Sequence, residues 1–280
     1  MNGIYICPTP IGNMEDITLR ALNTLKLVDV VFCEDTRVTG QLLKYFDISK
    51  KLISSHEYNE SKNKEKMIEY LRNGSNVGLV SDRGTPIISD PGYELVKEVI
   101  AHEFNVVPIS GANACLNALV VSGICPQPFL FYGFLDHSDK KKKKELEELK
   151  KYKETFVLYE APHRIKKTLT LMKDILGNRN IALAREITKK HEEILRGTIE
   201  EILDVVDELK GEMVLVVEGS SEEVVEEVFE QSIEEHVNEY IEKGMSTKDA
   251  IKEVAKLRNV SKNEIYQEYH KKWENYSHFF

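Results

Sequence analysis

Short apolar runs rich in β-branched residues alternate with longer segments of helical character from residue 4 to residue 121. This alternation leaves few folds open. Ile4-Tyr5-Ile6-Cys7, Val28 to Cys33, Leu52-Ile53-Ser54, Val77 to Val80 and Val106-Val107 read as strands. Helical segments follow at about Asp16 to Leu27, Val38 to Phe46, 60 to 73, Pro91 to His102 and Ser110 to Val121. Strand and helix joined repeatedly by short connections predict an α/β fold with a parallel, doubly wound sheet.

The stretch from Val77 to Gly92 is the most informative part of that pattern. A buried strand ends at Val80, and Ser81-Asp82-Arg83-Gly84-Thr85 follows as a loop of small, turn-forming and hydrogen-bonding residues. Asp90 and Pro91 are placed to open the next helix as N-cap and first-turn proline. Open α/β sheets bind ligands at the carboxyl ends of their strands, in such loops. An ordinary strand-to-helix connection would use the same residue types, so physics alone leaves the two readings level.

Gly123-Ile124-Cys125-Pro126-Gln127-Pro128 interrupts the alternation and marks a boundary. Strands are predicted at Phe129 to Phe134, Thr155 to Tyr159, Ile181 to Glu186, Glu192 to Gly197 and 213 to 217. A very basic helix runs from Lys140 to about Tyr152, one follows Arg164 as far as Gly177, and another covers about 198 to 209. The connections are less regular, which predicts a second α/β unit with a mixed sheet. Residues 221 to 230 carry five glutamates and read as a solvated helix face or linker. Two capping boxes, from Ser246 and from Ser261 to Glu264, then start two short helices of helix-turn-helix character. Such a module suits either nucleic acid or a packing role. The expected organisation is an α/β domain over 1–122, a second over 123–220, and an acidic linker with a helical module over 221–280.

A formal net charge of −9 excludes a uniformly basic nucleic-acid coat but not local basic patches. Cys7, Cys33, Cys115 and Cys125 form no CxxC pair, so neither a zinc site nor a disulfide framework is expected, and no metal is assigned. No apolar run reaches the roughly 18 residues of a membrane span, and the start of the chain lacks a signal-peptide pattern, as in a soluble cytoplasmic protein.

Six motifs occur in order. They are Pro8-Thr9-Pro10-Ile11-Gly12-Asn13 with Asp16-Ile17-Thr18, Cys33-Glu34-Asp35-Thr36-Arg37, and Ser81 to Gly92. Glu160-Ala161-Pro162-His163-Arg164, Ala184 to Lys189, and Gly211-Glu212-Met213-Val214 complete them. Together they resemble the ribosomal RNA small subunit methyltransferase I family of the tetrapyrrole methylase superfamily, over about residues 3 to 219. The resemblance implies S-adenosylmethionine as methyl donor and the ribose 2′-hydroxyl of a cytidine in the decoding region of 16S rRNA as acceptor. It also implies two α/β domains around the cofactor, and a homodimer.

Carried across by motif, the resemblance assigns Pro10, Ser81, Asp82, Gly84, Thr85, Asn113 and Ala114 to the cofactor from the first half. Tyr159, Ala184 and Met213 are assigned to it from the second. The family usually has alanine where this chain has Arg83, an arginine that could obstruct the cleft, engage phosphate or point outward. A ribose hydroxyl gains reactivity from a group that accepts or orients its proton. Glu34, Asp35, Glu160 and Glu186, with Lys189 beside them, are the candidates, each equally able to serve in a structural salt bridge. Arg37, His163, Arg164 and Arg185 suit RNA phosphates, as does the run Lys140, Lys141, Lys142, Lys143 and Lys144. The alternatives are methylation of a tetrapyrrole or other small molecule, and an rRNA-binding homologue weakened at Arg83.

Overall fold

The computed structural model describes residues 2–56, 59–221, 231–258 and 260–276. Contacts divide the chain into two compact units, Met1–Ser221 and Glu222–Phe280.

The first unit opens with the predicted alternation: β1 (Gly3–Ile6), α1 (Leu19–Leu27), β2 (Val30–Cys33), α2 (Thr36–Tyr45), β3 (Lys51–Ser54), α3 (Glu60–Arg72), β4 (Val77–Val80), α4 (Tyr93–Ala101), β5 (Asn105–Pro108) and α5 (Ala114–Val121). All five strands are parallel, in the order β3-β2-β4-β1-β5. Successive side chains of a strand face opposite sides, and here both sides are covered. Ile4, Val30, Phe32 and Leu79 pack with Met67, Leu71, Leu95 and Val99 of α3 and α4. Cys7, Val31, Cys33 and Val80 pack with Ala21 and Leu25 of α1 and Leu43 of α2.

Two helix starts differ from the sequence reading. Thr18, not Asp16, caps α1, accepting the Ala21 N–H at 3.0 Å, while Asp16 ends a separate 3₁₀ turn capped by Asn13. Helix α4 starts at Tyr93 after Gly92, not at Asp90-Pro91. Gly92 has φ +131°, a conformation that L side chains rarely adopt, so the loop ends there and the Asp90 carboxylate is not spent on a cap.

The second sheet is built from β6 (Phe129–Phe134), β7 (Thr155–Glu160), β8 (Asn180–Arg185), β9 (Glu193–Thr198) and β10 (Met213–Val217), with α6 (Asp139–Leu149), α7 (Ile165–Leu176) and α8 (Ile199–Val205) between them. The order is β6-β7-β10-β8-β9. Only β6 and β7 run parallel, so the sheet is mixed. One face packs on α6, α7 and α8 through Leu146, Leu158, Leu169, Met172, Leu215 and Ile202. The opposite face, with Val157, Ala182, Ala184, Val214 and Val216, is covered by Cys115, Ala118 and Leu119 of α5. The last helix of the parallel alternation therefore packs on the second sheet.

The second unit has three helices among the described residues: α9 (Ile233–Glu242), α10 (Thr247–Leu257) and α11 (Lys262–Tyr276). Val237, Ile251, Val254 and Ile265 form their core. The sequence reading expected only the last two. A third capping box, Ser232 with Glu235, marks α9 and was the signal available for it. The box at Ser261 is complete, Ser261 and Glu264 bonding each other's backbone N–H, whereas at Ser246 only half of it forms, the Ser246 hydroxyl accepting the Asp249 N–H. The acidic residues 222–230 and Asn259 lie outside the described residues. No helix among the described residues is long and apolar enough to cross a membrane.

Leu215 is fully buried at the centre of the second sheet, whereas Leu27 is 57% exposed. Leu215→Ala should cost about 2–5 kcal/mol in urea unfolding, and Leu27→Ala less than about 0.5. Equal costs would contradict this packing.

Candidate active site

The loops that follow β1, β4 and β5, three adjacent strands, form one wall of a cleft of about 560 Å³. Ile11, Asp82, Gly84, Thr85, Ser89, Asp90, Asn113 and Ala114 line this wall. Phe134, Tyr159, Glu160, Ile187, Lys189, Glu212 and Val214 line the other, from the second sheet and its loops. The volume lies in the roughly 300–1,000 Å³ range of sites that bury a small organic molecule.

Hydrogen bonds fix the first wall before any ligand arrives. Thr9 and Gly84 exchange backbone bonds at 2.9 and 3.0 Å, tying the β4 loop to the β1 turn. The buried Ser81 hydroxyl donates to the Gly84 carbonyl at 3.0 Å, and Thr85 donates to the Ala112 carbonyl at 3.0 Å. Gly84 has φ +77°, and a Cβ there would meet Ile11 at 3.0 Å. That position therefore requires glycine. At the start of α5, Asn113 accepts the Leu116 N–H and the Tyr159 hydroxyl accepts the Cys115 N–H at 3.1 Å. The Asn113 and Ala114 N–H groups have no partner among the described residues and line the cleft.

Most of the assigned cofactor positions lie in these walls, with three exceptions. Ser81 is buried and its hydroxyl serves the loop itself. Pro10 is buried beside Ile11, and Ile11 lines the cleft instead. Ala184 is 1% exposed beneath α5, so that helix covers the place assigned to a ligand. Met213 borders the cleft, but its side chain belongs to the helix-side core; Val214, paired with Tyr159, is on the α5 side. Arg83 is half-exposed at the mouth, where its guanidinium pairs with Glu212. Lys189 bonds Glu212 and Glu186, each at 2.9 Å, so these charges join the two walls.

The five acid-base candidates separate clearly. Asp35 caps α2 and pairs with Arg37; bonds from that guanidinium hold its carboxyl at about 2, far below use as a base. Glu186 is held low by its bond from Lys189 and also accepts the Glu212 N–H. Glu160 reaches the cleft but is 3% exposed, and it accepts from Arg164, Ala161 N–H, Thr168 and Lys142. These three, with Lys189, are structural pairs. Burial and then the charge of Asp82 raise Glu34 above the usual carboxylate range. Asp90, read from sequence as a helix cap, is pushed up to about 6, first by burial and then by Glu34 and Asp82. Asp82 accepts the Asp35 N–H at 3.0 Å.

Among the phosphate candidates, Lys140, Lys141, Lys143, Lys144, Arg37 and His163 are exposed. Lys142 is not: it is 2% exposed, donates to Thr168 at 2.7 Å, and lies 3.4 Å from Glu160. A run of five lysines exceeds one helical turn, and Lys142 falls on the inward stripe with Leu146 and Leu149. Arg164 turns inward to Glu160 and to the Leu135 and Asp136 carbonyls. Arg185 pairs with Glu193 at 2.6 Å.

The cleft fits the implied S-adenosylmethionine. Ile11, Phe134, Tyr159, Ile187 and Val214 offer an apolar surface for a purine. The unpartnered N–H groups of Asn113 and Ala114 suit a carboxylate, and Asp82 suits a positive charge. Among the described residues no group of three or more His, Cys, Asp or Glu could hold a metal ion.

Lys142→Ala should destabilise the protein by about 3 kcal/mol in urea unfolding, because it leaves a buried carboxylate short of a partner. Lys143→Ala, one position on, should change stability by less than about 0.5 kcal/mol.

Residues 3–203 match the family described as tetrapyrrole (corrin/porphyrin) methylases. The ribosomal RNA small subunit methyltransferase I of Bacillus subtilis is 52% identical over 276 residues, covering 96% of this chain and 94% of that protein. The protein of the same name from Halalkalibacterium halodurans is 48% identical over 272 residues, covering 95% and 94%. Among solved structures, the uroporphyrin-III-C-methyltransferase of Thermus thermophilus superposes with a TM-score of 0.56 at 19% identity, over 78% of this chain and 94% of that one.

Proposed function

Because this chain belongs to the tetrapyrrole methylase family and, within it, to the ribosomal RNA small subunit methyltransferase I family, we propose that it methylates 16S rRNA at the ribose 2′-hydroxyl of a cytidine in the decoding region. Similarity to proteins named ribosomal RNA small subunit methyltransferase I runs along nearly the whole chain, and it carries the reading. The solved tetrapyrrole enzyme is alike in fold only, so a small-molecule acceptor has less support.

The family uses S-adenosylmethionine, which supplies a methyl already activated on a sulfonium. The protein's part is placement and exclusion of water. Ile11, Tyr159 and Val214 would hold the purine, the N–H groups of Asn113 and Ala114 the carboxylate, and Asp82 the positive charge. The Arg83–Glu212 pair bridges the two walls at the mouth, and Lys189 ties Glu212 to Glu186 on the second wall. In this arrangement Arg83 belongs to the mouth and leaves the interior to the ligand, which supports an active rather than a decayed site.

Lys140, Lys141, Lys143 and Lys144, with Arg37 and His163, are assigned to rRNA phosphates on a small ribosomal subunit in the cytoplasm. We also read the chain as a homodimer. The apolar Leu116, Val120 and Val121, exposed on α5, support a partner surface there. Sedimentation equilibrium should give twice the chain mass of 32.2 kDa, and a monomer mass would discard the dimer.

The decisive assay offers labelled cofactor to small ribosomal subunits, naked rRNA and a tetrapyrrole in parallel, followed by nucleoside analysis. Label in 2′-O-methylcytidine is expected; label in the tetrapyrrole would reverse the assignment. Replacing Lys140, Lys141, Lys143 and Lys144 by Gln should weaken RNA binding and flatten its log–log salt dependence by about 0.7 per contacting lysine. Lys142 is left in place for stability. An unchanged slope would remove α6 from the RNA surface.

A further inference from the structure

We propose that Asp90 is the catalytic base of the transfer, taking the proton of the ribose 2′-hydroxyl as that oxygen attacks the methyl carbon. The proposal rests on the acceptor assigned above and deepens it.

The geometry singles Asp90 out by elimination and by placement. Of the carboxylates in and around the cleft, Asp35 is tied to Arg37, Glu186 to Lys189, Glu212 to Arg83 and Lys189, and Glu160 to a buried set of donors. Asp82 is in hydrogen bond with the Asp35 N–H. Glu34 and Asp90 remain, and only Asp90 lines the cleft. Its carboxylate receives no hydrogen bond or ion pair from the described residues, although it is half-buried. Gly92, not Asp90, precedes the first turn of α4, so the oxygens are not drawn into capping.

The surroundings suit a group that must gain a proton. Asp90 faces Glu34 from the end of β2, Asp82 from the end of β4, and the Tyr159 hydroxyl from β7. The cleft's two cations, Arg83 and Lys189, are both ion-paired elsewhere. Burial and then two like charges push Asp90 up to about 6, where a base is both ionised and basic enough to be efficient. Glu34 is then a positioning residue, acting on the acceptor only through Asp90.

The step balances. The bond from ribose oxygen to methyl carbon forms and the sulfur–methyl bond breaks, its electron pair returning to sulfur. The hydroxyl proton ends on Asp90. A sulfonium and a carboxylate, one positive and one negative charge, thus become a neutral thioether and a neutral carboxylic acid. Asp90 then loses its proton to solvent.

Single-turnover transfer from labelled S-adenosylmethionine to small ribosomal subunits between pH 5 and pH 8.5 tests this. Asp90→Asn should slow the step about 10²- to 10⁴-fold with cofactor affinity unchanged by calorimetry. The wild-type rate should fall tenfold per pH unit along an acidic limb, since the base must be ionised. Glu34→Gln removes one like charge and should move that limb to lower pH, and Asp90→Glu should recover part of the lost rate. A full rate in Asp90→Asn, or an acidic limb that Glu34→Gln does not move, overturns the role of Asp90 while leaving the rRNA assignment intact. No transfer by the wild-type chain to subunits at any pH overturns the acceptor and this role together.

Discussion

Everything in the cleft depends on α5 packing away from the sheet that leads into it. The helix follows β5 of the parallel sheet, yet Cys115, Ala118 and Leu119 bury themselves against Val157, Ala182, Val214 and Val216 of the other sheet. A helix that closed the alternation in the ordinary way would have left the two sheets joined by a linker alone. Here the first turn of α5 instead serves both walls: Tyr159 accepts its Cys115 N–H, and Thr85 bonds the Ala112 carbonyl just before it. The loop after β4 is fixed in turn to the loop after β1 through Thr9 and Gly84. The opening between the sheets is thus held by packed side chains and backbone bonds, the kind of pre-organisation that transfer between two bound molecules needs.

A second constraint is the burial of charge behind the far wall. Glu160 ends β7 with its carboxylate out of water and four donors around it. Those donors come from α6 (Lys142), from α7 (Thr168) and from the turn between β7 and α7 (Ala161 N–H and Arg164). Removing any one leaves a buried carboxylate short of a partner, and that penalty exceeds the net worth of the pair itself. The same residue that looks catalytic by motif therefore orients the helix that carries the exposed lysines. Lys142 anchors that helix from within, while its neighbours remain free to meet solvent.

This separation of roles explains how much was legible beforehand. The strands and their order along the chain followed from short β-branched apolar runs and turn residues, because both depend on local chemistry. The ligand loops followed from glycine and hydroxyl residues at strand ends, and the motifs identified the family. What was not legible is where a charged side chain finds its partner. Asp35, Glu160 and Glu186 are carboxylates at strand ends, as Glu34 is. They differ only in whether Arg37, Lys142 and Arg164, or Lys189 reach them across the fold. Periodicity could have exposed Lys142, four residues before Leu146 and seven before Leu149, since that spacing fixes a helix face. For Ala184 no local signal existed, since only the return of α5 covers it. Asp90 was misread because Asp-Pro is a strong helix-start signal, and nothing nearby announces that Gly92 will take the turn instead.

The one unbalanced feature that remains is the trio Glu34, Asp82 and Asp90. Glu34 and Asp82 bear on Asp90 as like charges, and among the described residues only His56 beside Glu34 and Arg37 beside Asp82 act against them, so burial and mutual repulsion raise Glu34 and Asp90. Elsewhere in the same unit nearly every inward carboxylate is matched, so the chain is able to pair its acids. An unmatched cluster inside a cleft is what a cationic ligand would compensate. On the proposed reading a sulfonium held near Asp82 would supply positive charge there, and its loss on methyl transfer would coincide with the arrival of a proton on Asp90. The net charge of the site is then the same before and after the step, which keeps the reorganisation of the surrounding dipoles small. On this account Arg83 sits where it must: paired to Glu212 at the mouth, it leaves that unmatched negative potential to the bound ligand.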